Sequence, residues 1–358
     1  MKIKSKKLED KDIKVTDKPT DSKEISDHEE DVVNHTSKTM QDLPGIGPKT
    51  AEKLRELGYT LIGLATGRAD EIAAEMKVSF VQAKGWVQAA QEAVLCGMNL
   101  KKAEEIEKER KKKQKFYITG SNTFNKLMGG GFGTMKTTGL SGRFSTGKTQ
   151  SIYDAMVDCL RAEIDDEAVY IETEPDTFHL ERIKQIADLR KIKIDTNKLW
   201  VAEASQIPTA KAQFLQYKIV QKHLEQGSPI HLVAVDSFTA KFRPGYSRRE
   251  MLPVRTREFT EHFLLIDFLA SRYNIAWILS CQVIGAPDPG QGLGIKMKTG
   301  DTYYPVGGEF LLHSVSTWIS LKQIKTELYE AILYDSSYLE RSKCEFMLTK
   351  QGLMDEIR

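Results

Sequence analysis

The sequence predicts an α/β protein, a mainly parallel sheet with helices on both faces, preceded by a small all-helical domain. Two observations predict it. After Phe116, short β-rich runs alternate with helical stretches, with strand candidates at residues 137–140, 168–172, 231–235 and 276–280. Between Leu43 and Cys96 the apolar spacing is helical only, beginning with Ala51, Leu54 and Leu57 behind Pro48, a residue suited to a first helical turn. Each strand candidate ends in a turn or polar residue, which is where ligands bind in open parallel sheets.

The remaining segments complete the organisation. Residues 1–38 mix Lys, Asp, Glu, Ser and Thr with few large apolar side chains, so they read as a disordered charged tail. Residues 39–97 form the helical domain. Residues 98–115 read as a linker, with eight Lys/Arg and four Glu packed into positions 101–115, the composition of a solvated helix. Residues 116–358 form the α/β core.

Bulk properties exclude several classes. A net charge of +2 announces no nucleic-acid binder, so any such contact must come from local basic loops. The four cysteines, Cys96, Cys159, Cys281 and Cys344, have neither zinc nor disulfide spacing and fit reduced thiols inside a cell. No apolar run reaches bilayer length, and the N-terminus is not signal-like, so a soluble, non-exported protein is expected.

The chemistry is concentrated in the core. Gly142-Arg143-Phe144-Ser145-Thr146-Gly147-Lys148-Thr149 satisfies G-x-x-x-x-G-K-[ST] between a strand candidate and a helix candidate. Glycines let the backbone wrap a phosphate, and a helix N-terminus adds positive potential. Lys148 is expected on β/γ-phosphates and the Thr149 hydroxyl on Mg²⁺. The apolar run 232–235 ends in Asp236, the second expected metal-side carboxylate. Glu174, closing Tyr170-Ile171-Glu172-Thr173-Glu174, is the expected orienter of attacking water, with Glu172 as fallback. Gln282, at the end of the fourth strand candidate, is a candidate γ-phosphate sensor or an ordinary polar strand end.

These segments, together with the LPGIGPKTAEKL stretch, Gln150, the Thr177-Phe178 and Glu181-Arg182-Ile183 pairs, VDSFTAKFR and Tyr303 to Gly308, resemble the archaeal RadA recombinases, relatives of the RecA family. The resemblance runs from about Leu43 to the C-terminus. It implies a RecA-like P-loop ATPase core, ATP and Mg²⁺ as ligands, and filaments on single-stranded DNA that pair it with duplex DNA. K⁺ or Ca²⁺ activation and recombination mediator proteins are compatible with it. The archaeal look of residues 285–288 implies a cytoplasmic, DNA-associated protein.

The resemblance also implies roles at matching positions. Arg182 stacks on adenine in its own site, while Asp301 and Pro305 cap the neighbouring protomer's nucleotide. The first DNA loop contributes Arg243, Tyr246, Arg248, Arg249 and the later Arg255; guanidinium groups on phosphates bind without regard to base sequence. The second contributes Lys296 and Lys298. Gly45, Gly47 and Lys49 form a helix-hairpin-helix turn on a DNA phosphate, or a purely structural bundle. Leu100 and Ala103 stand at the Phe-x-x-Ala protomer-docking motif.

The sequence departs from the family pattern at named places. Pro175-Asp176 adds one residue after Glu174, and His179-Leu180 replaces Arg-Pro. The second DNA loop is longer, and Glu309 stands where many relatives have His. Leu100 replaces the docking Phe, a loss of ~1–2 kcal/mol of burial. The strand-exchange enzyme is the first expectation. A paralog that binds ATP and DNA and modulates a partner filament is the second, and a different RecA-fold machine is the third.

Overall fold

The computed structural model describes residues 39–95, 100–246, 249–285 and 303–356, and the chain splits into two compact units, Met1–Met98 and Asn99–Arg358. The segment read as a disordered tail, 1–38, lies outside the described residues.

In the first unit a 3₁₀ turn at Met40–Asp42 leads into four helices, α1 (Pro48–Glu56), α2 (Leu61–Ala65), α3 (Ala69–Met76) and α4 (Phe80–Leu95). Pro48 starts α1 because a first-turn N–H needs no helical partner. The Thr60 hydroxyl caps α2 by accepting from Gly63 N at 2.9 Å. Ala51 and Leu54 are buried with Ile46, Leu64, Ile72 and Trp86. Leu57 differs from its expected inward place: it is the C-cap of α1 and lies exposed, because the helix ends before a further turn can carry it to the core. Trp86 Nε1 donates to Gly45 O at 2.9 Å, pinning a turn in which Gly45 takes a φ of +78°.

The second unit opens with α5 (Ala103–Lys113), which buries no residue; Glu104 and Glu105 in its first turn and four basic residues in its last oppose the helix dipole. A small antiparallel pair follows, β1 (Phe116–Tyr117) with β2 (Phe132–Gly133), enclosing α6 (Asn122–Leu127). The core then runs β3 (Lys136–Gly142), α7 (Lys148–Cys159), β4 (Glu167–Glu172), α8 (Leu180–Leu189), β5 (Leu199–Ala202), α9 (Ala210–Glu225), β6 (Ile230–Asp236), α10 (Leu252–Tyr273), β7 (Ala276–Gly285), β8 (Tyr303–Pro305) and α11 (Glu309–His313). It ends in β9 (Thr317–Lys325), β10 (Leu328–Ser336), β11 (Lys343–Thr349) and β12 (Gly352–Met354).

These strands form one ten-stranded sheet in the order β12-β11-β10-β9-β3-β7-β6-β4-β5, with β8 on β7. The six strands from β9 to β5 run parallel to one another, while β8 on β7 and the wing of β10, β11 and β12 pair antiparallel. The four expected strands are β3, β4, β6 and β7; β5 and the antiparallel wing enlarge the sheet. Helices cover both faces. Ile152, Met156, Ile183 and Ile186 from α7 and α8 pack in one core cluster, and Tyr217, Phe259, Phe263 and Ile266 from α9 and α10 in the other. Each such buried side chain stabilises the fold by ~1.5–3 kcal/mol relative to exposure.

Register places the chemistry. Gly142 lies beside Gln282 across β3 and β7, and Glu172 beside Asp236 across β4 and β6. The carboxyl-terminal parts of four strands thus lie together at one end of the sheet.

Candidate nucleotide site

The phosphate loop, Gly142 to Thr149, turns from β3 into α7. A side chain at Gly142 would place its Cβ 2.4 Å from Thr146 Oγ1 and 2.5 Å from Leu321 O, so only glycine fits there. Gly147 takes a φ of +95° as the N-cap of α7, a conformation that frees the first N–H groups of the helix. Lys148 Nζ donates to Gly142 O at 3.0 Å and Arg143 O at 2.8 Å, folded back across the loop it is meant to serve. Burial lowers its pKa, opposed by the charges of Asp236 and Glu174.

Asp236 is 4% exposed, yet three hydroxyl groups donate to its carboxylate. Thr149 Oγ1 donates to Oδ2 at 2.6 Å, Tyr170 OH donates to the same oxygen at 2.9 Å, and Ser280 Oγ donates to Oδ1. Burial first, and the Asp236 charge second, push the Tyr170 phenol well up, so it remains a donor. The peptide bond between Asp236 and Ser237 is cis. Among the described residues no cluster of three or more His, Cys, Asp or Glu could hold a metal by itself. One carboxylate beside one hydroxyl instead suits a hard divalent cation completed by substrate phosphate and water.

The two candidate carboxylates differ. Glu172 is occupied by backbone: Oε1 accepts from Thr177 N at 3.0 Å and Phe178 N at 3.1 Å, and Oε2 accepts from Ala204 N at 3.2 Å. Glu174 faces the pocket, and its Oε1 accepts from Gln282 Nε2 at 2.6 Å. Gln282 Oε1 accepts in turn from Arg243 Nη1 at 2.6 Å. The extra residue after Glu174 is absorbed outward: Pro175 and Asp176 are exposed, Asp176 takes a φ of +62°, and Thr177 Oγ1 ties back to Glu174 O at 3.0 Å.

A cavity of 680 Å³ joins these groups. It is lined by residues 142–150, Glu174, Asp236 and Gln282, and also by Arg182, Tyr329, Leu348 and Thr349. Arg182 is fixed there, donating to Gln150 Oε1 at 2.9 Å, Thr349 O at 2.8 Å and Lys350 O at 2.7 Å. A flat guanidinium held in place this way offers a planar ring a stacking surface. Phe144, which also lines the cavity, is 96% exposed. Tyr170, Ser280 and Thr349 went unassigned by sequence reading; only Tyr170 and Ser280 carried a signal, as members of strand ends already marked by Glu172 and Gln282.

The Rad51 family model matches residues 110–356. The chain belongs to the Rad51 family. Two similar relatives are the DNA repair and recombination proteins RadA of Aeropyrum pernix and Metallosphaera sedula. The first is 31% identical over 330 residues, spanning 89% of this chain and 97% of the relative. The second is 31% identical over 323 residues, spanning 89% and 96%.

Of the other expected site residues of this Rad51-family chain, Pro305, Tyr246 and Arg255 do not line the cavity. Pro305 is buried on β8 beside Val283. Tyr246 sits 6.3 Å from Phe242, its hydroxyl pushed up by burial and by bonding to Glu258. Arg255 lies 6.0 Å over the Phe259 ring, its Nε buried and unpartnered. Arg248, Lys296, Lys298 and Asp301 lie outside the described residues, as does the side chain of Arg249. In the first unit, Gly45, Gly47 and Lys49 are exposed at the start of α1, and a Cβ at Gly47 would meet nothing within 4 Å. Leu100 and Ala103 are exposed, Leu100 fully. A second, apolar hollow of 200 Å³ opens beside edge strand β5, lined by Val169, Ile171, Trp200, Ile219 and Ile230 among others. Among the described residues no helix is long and apolar enough to cross a membrane.

Proposed function

We propose that this chain is an ATP-dependent DNA recombinase that forms filaments on single-stranded DNA and catalyses homologous pairing and strand exchange in repair. The observation that carries the reading is the convergence of Lys148, the Thr149–Asp236 pair and Glu174 on one cavity, with Gln282 linking that cavity to Arg243 in the loop after β6. The N–H groups of the phosphate loop and Lys148 bind the β- and γ-phosphates. Thr149 and Asp236 hold Mg²⁺, which neutralises phosphate charge. Glu174 orients the attacking water, and Arg182 carries the adenine.

DNA is held by phosphate contacts from Arg243, Tyr246, Arg248, Arg249, Arg255, Lys296 and Lys298, with Gly45, Gly47 and Lys49 adding a backbone contact from the helical unit. Sequence is then read by base pairing rather than by the protein. Leu100 and Ala103 dock a protomer on the next one, where the apolar hollow beside β5 suits an aliphatic anchor. Asp301 and Pro305 cap the neighbour's nucleotide. The protein acts in the cytoplasm on DNA, with mediator proteins and K⁺ or Ca²⁺ as candidate modulators.

A second reading, a paralog that binds ATP and DNA and modulates a partner filament, is favoured by Leu100 at an aromatic docking position and by the exposed Pro175-Asp176 insertion. One experiment separates them: ATP turnover with and without single-stranded DNA, beside joint-molecule formation with a homologous duplex. DNA-stimulated turnover with joint molecules supports the recombinase. Nucleotide and DNA binding without joint molecules supports the paralog.

A further inference from the structure

The geometry points to Arg243 as a latch on the hydrolytic carboxylate: without DNA it orients Gln282 so that Glu174 is held away from water. The inference rests on the proposed roles of Glu174 and of the loop after β6. It gives Arg243 a second duty, as a positioning residue acting through Gln282 rather than only a phosphate contact.

The argument begins with a neutral amide caught between opposite charges. Arg243 Nη1 donates to Gln282 Oε1 at 2.6 Å, and Gln282 Nε2 donates to Glu174 Oε1 at 2.6 Å. A guanidinium can only donate and a carboxylate only accept, so the two neighbours together fix which end of the amide faces which. Rotation of Gln282 would set donor against donor and acceptor against acceptor. The glutamine backbone is pinned as well: its N–H donates to Thr239 Oγ1 at 3.1 Å, and its carbonyl accepts from Val306 N at 3.0 Å. Only the side chain is left to switch. Held this way, Glu174 Oε1 already accepts a charge-assisted bond, and a carboxylate so engaged is a poorer acceptor for a water proton.

Arg243 itself is exposed and follows the short turn Ala240–Phe242, so a polyanion reaches it from solvent. Phosphate oxygens pair with a guanidinium through charge-assisted, often bidentate bonds, stronger than a single bond to a neutral amide. DNA phosphate therefore draws Arg243 off Gln282. The amide loses its charged anchor, rotates, and releases Glu174.

The test uses the full chain and its R243A and R243K variants, with ATP turnover measured at saturating ATP, first without DNA and then with an oligo-dT single strand. R243A is expected to raise the DNA-free kcat about tenfold, equivalent to ~1.4 kcal/mol, with KM for ATP little changed. R243K, which can still donate to Gln282 Oε1, is expected to turn over ATP without DNA more slowly than R243A. Because Arg243 is exposed, thermal unfolding should not move. An R243A DNA-free kcat that is unchanged or lower overturns the latch, and so does an R243K rate as high as that of R243A. The DNA response of the wild-type chain is a separate readout. If oligo-dT fails to stimulate it while R243A alone speeds turnover, Arg243 does restrain Glu174, but its release by DNA and the recombinase reading both fall. If oligo-dT stimulates it and R243A without DNA does not, the latch falls and the recombinase reading stands.

Discussion

Thr149 Oγ1 donates to Asp236 Oδ2 at 2.6 Å, joining the end of the phosphate loop to the end of β6 within a single chain. The pair is assembled by register: β6 stands two places from β3, across β7, and Ser280 on β7 bridges to Asp236 from the strand between them. The hydroxyl spends its single proton on that bond, which leaves its lone pairs for a cation.

Thr149→Val removes that ligand while keeping side-chain shape. Asp236 retains Tyr170 and Ser280 as donors, so the loss of stability should be no more than ~1 kcal/mol. Nucleotide affinity measured in Mg²⁺ should fall well below wild type, whereas affinity measured in EDTA should differ little. Equal losses in both conditions would remove Thr149 from the metal side of the site.

Glu174 and Glu172 should separate cleanly when each is changed to Gln. Glu174→Gln keeps nucleotide binding and loses hydrolysis, by about 10²-fold or more if the carboxylate acts as the base. Glu172→Gln replaces a carboxylate bonded to three backbone N–H groups with an amide that can satisfy them only in part. It should lower unfolding stability by ~1–3 kcal/mol and leave turnover per folded molecule near wild type. Turnover and chemical denaturation on both variants decide this. A hydrolytically normal Glu174→Gln variant would reassign the catalyst.

Much of this site was legible because strand ends and the phosphate loop are local patterns. Gly142, Lys148, Thr149, Asp236, Glu174 and Gln282 all fall where a short run predicts them, and parallel register brings them together. The antiparallel wing was not legible, for a physical reason. Its strands are half exposed, and β10 carries Glu330 at 4% exposure, held by Lys322 and Lys343 at 2.7 Å each. A buried carboxylate in mid-strand breaks the apolar alternation from which strands are read. The inward reach of Arg243 was equally hidden, since a basic loop reads as solvated until its neighbours are known.

Asp267 on α10 makes stability depend on pH. Burial raises it from 3.8 to about 6, and the Thr137 hydroxyl at 3.5 Å only partly opposes this. In the window between those values the native state keeps a proton that the unfolded chain has released. Stability from this group is therefore fully present below 3.8 and is lost as the pH rises through about 6. Asp267→Asn removes the titration. The wild-type melting temperature should fall relative to the variant between pH 4 and pH 7, and the difference should level off above that range. Asp154, also raised to about 6 by burial, titrates in both proteins and cancels in the comparison. A constant difference across the range would mean that Asp267 is charged at all these values.

Leu100 offers the clearest separation of assembly from folding. It is fully exposed, and α5, which follows it, buries nothing, so truncation removes no buried surface among the described residues. Leu100→Ala should leave thermal unfolding at low protein concentration unchanged within ~0.5 kcal/mol, as expected of an exposed position. If Leu100 anchors one protomer on the next, the same change should weaken self-association by ~1–2 kcal/mol, about tenfold in the dissociation constant. Leu100→Phe should move the constant the other way if the receiving pocket accepts an aromatic ring. Trp200 already occupies part of the hollow beside β5, so a weaker Leu100→Phe assembly would mean that the hollow is cut to the aliphatic side chain. Sedimentation velocity over a concentration series measures both variants. Unchanged association for Leu100→Ala would move the protomer contact to another part of the chain.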